Sequence, residues 1–277
     1  MVDERLADER LSGLRVIGID EFSYRKRHRY LTVVVDHDRG CVVWAARGRG
    51  SDSLKGLFEQ LGDAGCAGIE SVTMDMAGGY IKAVRENLSE AQIVFDRFHV
   101  QSLASDALDE VRRTETRSLA GSDDAGWIKR SRYALLKNPW NLTPRQNQKL
   151  ADIQTNNARL YRAYLFKESL ARALDYLQSK RARAALDEWL RWACRCQIPA
   201  FVKLSRTIRK HKEGILAYIK ERYTNAIVEG FNNRLRMIAR RAYGFHSAET
   251  LQSMIFLCCG DIALNPPPAE MTHGKCR

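Results

Sequence analysis

The chain has 277 residues, of which 45% are hydrophobic, enough for a sizeable core and one or two domains. Its formal net charge is +12, from 45 Lys and Arg against 33 Asp and Glu, an excess common in proteins that meet nucleic acid or another polyanion. Residues 1–10 are acidic and polar, unlike a secretory signal, and the longest apolar run, residues 254–259, is too short to span a bilayer. We therefore expect a cytoplasmic or nucleoid-associated protein.

The cysteines number seven and include no Cys-x-x-Cys pair. An odd number without that spacing argues against both a disulfide framework and a zinc module, so we interpret them as reduced thiols. They are Cys41, Cys66, Cys194, Cys196, Cys258, Cys259 and Cys276.

The first part of the chain predicts β-strands. Two β-branched runs, residues 14–20 and 29–36, predict strands, and a turn leads into a third strand over residues 41–46, which suggests a hairpin. Residues 51–53 offer caps for a following helix with one apolar face, and glycines between residues 62 and 68 are expected to break it.

The chain next predicts a strand over residues 69–75, a helix over 79–88 and a strand over 92–95. The predicted order is strand, strand, strand, helix, strand, helix, strand. From residue 99 to residue 222 the pattern is helical. Breaks are expected at residues 121–126, 138–139, 143–144 and 199. A strongly basic helix over residues 225–241 and an apolar helix over residues 247–260 follow, before a tail that we expect to be disordered.

Two carboxylates, Asp20 and Asp75, end predicted strands. If those strands are parallel neighbours about 4.8 Å apart, the carboxylates converge, and two anions so close repel unless a cation lies between them. Magnesium is the natural candidate, because it prefers oxygen ligands and is held by few carboxylates. Either aspartate alone could instead cap the turn that follows its strand.

A third carboxylate would complete a two-metal site for displacement at phosphorus. Glu229 is the best candidate, because the basic helix places it on one face with three asparagines and Arg236. The alternative is a solvated glutamate paired with a neighbouring arginine. Composition and spacing alone do not decide between these interpretations.

Four motifs decide between these two interpretations of Glu229, because they resemble the motifs of a known protein family. The phrases GIDEFSYRKRHRYLTVVVD, TMDMAGGY, IVFDRFHVQ and NAIVEGFNNRLRMIARRAYGFHS closely resemble the ISL-three family of bacterial insertion-sequence transposases, in the family's order, over residues 14 to about 262. The resemblance implies an α/β, RNase H-like fold with a mixed sheet flanked by helices and its first and fourth strands adjacent. It also implies Asp20, Asp75 and Glu229 as catalytic metal ligands for two Mg²⁺ ions, with Mn²⁺ as a substitute.

The implied domain organisation has a large all-helical insertion before the last catalytic helix. We predict an N-terminal tail over residues 1–13, an RNase H-like core in two parts over 14–104 and 223–262, the insertion over 105–222, and a disordered tail over 263–277. The zinc-binding and helix-turn-helix region of full-length family members is not expected in this chain.

Basic and polar residues beside the carboxylates are predicted DNA contacts. They are Arg25, Lys26, Arg27, Arg29, Arg97, His99, Asn225, Asn232, Asn233, Arg236, Arg240 and Arg241. The alternatives are a solvated hairpin entry for the first four and a helix-start packing role for His99. A further basic cluster over residues 206–212 could grip DNA or only coat a helix. Trp189 and Trp192 could stack on bases, but their helical spacing is more typical of a core.

The function implied is Mg²⁺-dependent cleavage at insertion-sequence ends and transfer of the freed 3′ hydroxyl into target DNA. Its partners would be double-stranded DNA, as terminal repeats and target, and a second copy of the chain in a dimer. The alternatives are an RNase H-like nuclease without strand transfer, and a non-autonomous DNA-binding remnant.

Overall fold

A computed structural model describes residues 9–25, 29–121, 123–221, 226–242, 245 and 247–261, apart from the side chains of Arg25, Asp123, Asp124, Ala226 and Glu229. Among the predicted sites, Lys26, Arg27 and Asn225 therefore lie outside the described residues, as does the predicted tail over 263–277. The chain forms two compact units, residues 1–68 with 226–277, and residues 69–225. The domain boundaries predicted at residues 104 and 222 stay predictions.

The strands and helices are numbered in chain order. The strands are β1 (Val16–Arg25), β2 (Arg29–Asp36), β3 (Cys41–Arg47), β4 (Ser71–Met74) and β5 (Gln92–Phe95). The helices are α1 (Asp52–Ala67), α2 (Gly78–Asn87), α3 (Arg97–Ser118), α4 (Asp123–Lys129), α5 (Arg132–Leu136), α6 (Pro144–Asn156), α7 (Ala158–Asp175), α8 (Ser179–Ala193), α9 (Pro199–Lys210), α10 (Lys212–Glu221), α11 (Ala226–Arg241) and α12 (Ala248–Cys259).

In the first unit, β2 pairs antiparallel with both β1 and β3. The prediction that the first strand ends at Asp20 is wrong, because β1 runs on to Arg25. The physical reason is the pairing with β2, in which Phe22 lies opposite Leu31 and Ser23 opposite Tyr30. Asp20 therefore lies in the middle of a strand and not at its end.

One face of these three strands is covered by α11 and α12. Alternate residues of a strand point to the same face, so Leu31, Val33 and Val35 of β2 all contribute to a single apolar cluster. Val228, Phe231 and Leu235 cover this cluster from α11, at the spacing of one helix face. Packing between distant segments of the sequence thus fixes where α11 lies on the strands of this unit.

Helix α1 differs from its prediction at both ends. Ser51 precedes the helix, but its side chain makes no capping hydrogen bond, and Ser53 instead donates to the carbonyl of Gly50 at 2.7 Å. The expected break appears at Gly62 as a kink, with φ 60° and ψ −179°, after which the helix resumes to Ala67. Glycine tolerates this left-handed φ because it has no Cβ.

The second unit begins with a strand, helix, strand segment in which β4 and β5 are parallel and α2 connects them. Helix α10 packs on β5 so closely that a Cβ atom at Gly214 would lie 2.5 Å from the ring of Phe95. The parallel pair places the carboxyl ends of both strands at one edge, where Met74 lies beside Phe95.

The rest of this unit is helical, as predicted. Pro144 and Pro199 stand in the first turns of α6 and α9, and Thr143 forms a capping box with Gln146. The break predicted at residues 121–126 is only partly correct, because α4 begins at Asp123 and includes Gly126, and the described residues between α3 and α4 are 119–121. Further breaks at residues 157, 176–178 and 211 were not predicted, because no proline or glycine marks them.

The described strands have antiparallel and parallel partners and are flanked by helices, so the predicted α/β class is confirmed. Among the described residues, no helix is both long enough and apolar enough to cross a membrane. The cysteines within the described part of the chain are free thiols.

The helical part of the second unit contains a buried charge cluster around Asp109 of α3. Arg112 contacts its Oδ1 atom at 2.7 Å, and Arg113 donates to its Oδ2 atom at 2.8 Å. Arg112 also donates to the carbonyl of Lys129, which ties α3 to the end of α4. Burial by itself raises the pKa of Asp109, but the hydrogen bonds from the two arginines outweigh it and hold the pKa below its usual value.

Replacing Asp109 by alanine is expected to lower the free energy of unfolding by about 3–5 kcal/mol, because it leaves the buried Arg112 without its partner. The lowered pKa means that Asp109 stabilises the fold above the ordinary carboxyl pKa of about 3.9, a contribution lost as the pH falls through the folded-state value. Urea unfolding at several pH values should show that the difference in free energy of unfolding between wild type and variant becomes smaller in acid. The exposed neighbour Glu110→Ala is the control, and an equal loss in that variant would contradict the assignment.

Candidate active site

Asp20 faces helix α11 because of strand alternation. It lies two residues before Phe22 on β1, so both side chains project from the same face, and Phe22 is part of the apolar cluster that α11 covers. The sequence therefore places a carboxylate at the margin of a packed helix and strand interface. Its Oδ1 atom accepts a hydrogen bond from the backbone N–H of Glu21 at 2.7 Å.

The second oxygen of Asp20 is held by an asparagine of α11. Asn232 donates from Nδ2 to the Oδ2 atom of Asp20 at 2.7 Å, and only 3% of Asn232 is exposed. Its Oδ1 atom is buried and accepts no hydrogen bond from any residue that the structure describes. A buried, unsatisfied carbonyl oxygen is costly, and here it adjoins a carboxylate.

Glu229 is on the same helix, three residues before Asn232. Residues three apart on an α-helix share a face, so the helix that brings Asn232 to Asp20 also carries Glu229 on that side. The side chain of Glu229 lies outside the described residues, and its role as a ligand stays a prediction.

Asp75 belongs to the second unit and follows directly after β4, as predicted. Its Oδ1 atom accepts a hydrogen bond from the backbone N–H of Ala77 at 2.9 Å, so the turn-capping role considered for it is present. Asp96 follows the neighbouring strand β5, but it is buried and caps α3 by accepting from the N–H of Phe98. Of the two aspartates at this edge, only Asp75 is partly exposed.

The donor atoms fit a hard cation. Carboxylate and amide oxygens are the ligands that Mg²⁺ prefers, and the unpartnered Oδ1 atom of Asn232 lies on the residue that holds Asp20. Among the described residues no group of three or more His, Cys, Asp or Glu side chains could hold a metal ion. The third ligand of the prediction is Glu229, whose side chain is outside that set.

The predicted DNA contacts fall into two groups. Those with exposed side chains are Arg29, Asn233, Arg236, Arg240 and Arg241. In contrast, Arg97 forms an ion pair with Asp175, and His99 lies half-buried in the first turn of α3. That position is the helix-start one considered for His99, and its Nδ1 atom is buried with no partner among the described residues.

The basic cluster over residues 206–212 also divides. Arg206, Arg209 and Lys210 are exposed, whereas Lys212 pairs with Asp187 at 2.5 Å. His211 is buried with its ring edge-on to Phe95, and burial first, then neighbouring cations, lowers its pKa. The last two residues of the cluster thus contribute to packing.

The contact between Asn232 and Asp20 was missed by the sequence reasoning, which grouped Asn232 with the DNA contacts. The available signal was its offset of three residues from Glu229, which puts the two on one face of a helix. Burial of Asn232 favours a role on Asp20 over direct contact with DNA.

Comparison with known sequences gives consistent matches. The model of a transposase family, DDE_Tnp_ISL3, matches residues 17–255. The chain is 40% identical over 271 residues to the transposase for insertion sequence element IS1557 of Mycobacterium tuberculosis, an alignment that covers 90% of this chain and 61% of the relative. It is 33% identical over 240 residues to the transposase for insertion sequence element IS1001 of Bordetella parapertussis, covering 86% of this chain and 59% of the relative. The chain spans about three fifths of the length of these curated relatives.

Replacing Asn232 by alanine is expected to lower the free energy of unfolding by about 1.5–3 kcal/mol, because it removes a buried hydrogen bond to a charged group. The adjacent Asn233→Ala is the matched control, since Asn233 is exposed and its loss should change stability by no more than about 0.5 kcal/mol. Thermal and urea unfolding measure both. Equal effects at the two positions would show that the bond to Asp20 contributes nothing.

Proposed function

Since the chain belongs to the ISL-three family of DDE transposases, we propose that it carries the catalytic part of an insertion-sequence transposase, with Asp20, Asp75 and Glu229 as metal ligands. The reaction is cleavage of DNA at element ends and transfer of the freed 3′ hydroxyl into target DNA. The observation that carries this proposal is the buried hydrogen bond from Asn232 to Asp20. It ties one motif-matched carboxylate to the helix that carries another.

The chain's own residues set the geometry of the reaction. Asn232 fixes the orientation of Asp20, so that this carboxylate presents its oxygens in one position and loses little freedom when it binds a cation. Bound Mg²⁺ would activate an attacking oxygen and stabilise the leaving oxygen in an in-line displacement at phosphorus. No covalent intermediate on a protein side chain is required.

The exposed arginines that follow Glu229 on α11 would hold the DNA backbone. Arg236, Arg240 and Arg241 are all exposed on the helix that carries the proposed ligand. Cations at those positions neutralise phosphates and orient the duplex without reading its sequence. We propose double-stranded DNA, as element ends and target, as the substrate, and a homodimer that bridges two ends as the working assembly.

The reaction is tested on a supercoiled plasmid with a pre-cleaved oligonucleotide that bears a free 3′ hydroxyl, in Mg²⁺. Asp20→Asn, Asp75→Asn and Glu229→Gln should each lower joining by more than the roughly 10–100-fold typical of groups that only orient metal ligands. Asn232→Ala should lower joining by only about 10–100-fold, because Asn232 orients a ligand and is not one. Glu21→Gln, next to Asp20 on β1, is the control and should retain activity.

Sequencing the plasmid products separates the outcomes. Joined oligonucleotide ends support the transposase, whereas nicks without joined ends indicate a nuclease of the same fold. Wild-type joining in the Asp75→Asn variant would overturn the assignment of the three carboxylates.

Metal binding is tested independently of activity by calorimetric titration with Mg²⁺ and Mn²⁺. Titration of wild type should give a measurable heat of binding. The Asp20→Asn and Glu229→Gln variants should give none, because each loses an anionic oxygen that a hard cation needs. Glu21→Gln should titrate like wild type. Unchanged binding in the Asp20 variant would place the cation elsewhere.

A further inference from the structure

A cavity lies in the second unit, and its lining residues include none of the proposed metal ligands Asp20, Asp75 and Glu229. Helices α7 and α8 and the segment between α8 and α9 line this open cavity of about 820 Å³, within the range of pockets that hold small ligands. Its floor is apolar and includes Phe166 and Trp189, both buried. Its rim is exposed and consists chiefly of Arg162, Arg172, Tyr176, Arg191, Trp192 and Arg195.

Trp192 supplies an exposed aromatic face at the rim of this cavity. Its helical spacing predicted a core position like that of Trp189, but the prediction is wrong for Trp192, which is 49% exposed. Its ring packs on Phe166 with centroids 4.6 Å apart and an angle of 49° between the planes. One part of the indole is thus held by the protein while another faces the cavity.

The rim carries unneutralised positive charge. Four arginines face one carboxylate, Glu188, and none of the four forms an ion pair within the described part of the chain. Arg162 is held in place by donating to the carbonyl of Cys196 at 2.8 Å. An excess of cations around an aromatic cavity favours an occupant that is both anionic and planar.

The backbone at the cavity mouth is strained. Gln197 has φ 58°, in the left-handed region that non-glycine residues seldom adopt. The segment that carries it also carries Arg195 and lines the cavity. Strain of this kind persists where the surrounding structure holds it and is common at ligand-binding segments.

We propose that this cavity binds one unstacked nucleotide of a DNA single strand, with its base against Trp192 and its flanking phosphates on Arg191 and Arg195. A base in a duplex has both faces covered by its neighbours, so only an unpaired, unstacked base offers a face to the indole. A phosphate alone would use the arginines but not the aromatic face. The inference rests on the proposed function, because cleavage and joining of DNA ends supply such strands.

The test is fluorescence anisotropy of a labelled oligothymidine with the full chain, in EDTA to keep the metal site inactive. Trp192→Ala should weaken binding about tenfold, and Trp192→Phe should retain most of the affinity because it keeps an aromatic face. An abasic version of the oligonucleotide should bind wild type as weakly as the intact oligonucleotide binds the Trp192→Ala variant. Combining both changes should cause no further loss, since they remove the same stacking contact.

The arginines are tested by salt dependence. The double variant Arg191→Gln, Arg195→Gln should lower the slope of log affinity against log salt by about 1.4, from two phosphate contacts at about 0.7 each. The controls are Arg181→Gln, an exposed arginine of α8 outside the cavity, and Trp140→Ala, an exposed tryptophan elsewhere. Circular dichroism and unfolding curves verify that each variant is folded.

The results separate this site from the catalytic proposal. If the chain binds oligothymidine through Trp192 but neither nicks nor joins plasmid DNA, the proposal for the cavity is supported and the proposed transposase reaction is refuted. Failure of wild type to bind the oligonucleotide, unchanged affinity in Trp192→Ala, or an equal loss in Trp140→Ala would overturn the cavity assignment, whatever the plasmid assay shows.

Discussion

The hydrogen bond between Asn232 and Asp20 joins two segments of the first unit that are 212 residues apart in the sequence. It depends on α11 lying against β1, a position maintained by the apolar cluster to which Phe22, Phe231 and Leu235 belong. A short buried bond to a carboxylate is sensitive to rotation of the helix. The packing that stabilises this unit therefore also sets the direction in which α11 presents the Glu229 position.

The sequence was sufficient where local chemistry determines the structure. The bounds of β2 and β5 were predicted, because their apolar and β-branched residues stand between clear turn or polar segments, and prolines marked the starts of α6 and α9. It was insufficient for β1, where the prediction stopped at the carboxylate of Asp20 although pairing with β2 continues to Arg25. The break at residue 157 has a local mark that the prediction did not use, since the Asn157 side chain accepts from the N–H of Leu160 and caps α7, whereas the break at His211 coincides with burial of its ring against Phe95.

For the candidate site, local patterns identified residue types but not their contacts. Asp20 was selected as a strand-end carboxylate, although its environment comes from strand alternation and the helix above it. Helical periodicity put Asn232 on one face with Glu229, but the atom that it meets lies on a strand far away in the sequence. Trp189 and Trp192 are three residues apart, about 60° around a helix, which separates a buried ring from one at a cavity rim.

The discontinuity of the first unit affects how the chain is made. Its hairpin leaves the ribosome with Leu31, Val33 and Val35 uncovered, because the helices that bury them are translated only after residues 69–225. The second unit is continuous and can fold during that interval, while the first must wait for contacts of very high sequence separation, which form slowly. The nascent hairpin is consequently the segment most exposed to non-native association, and chaperone binding during translation would be expected to concentrate there.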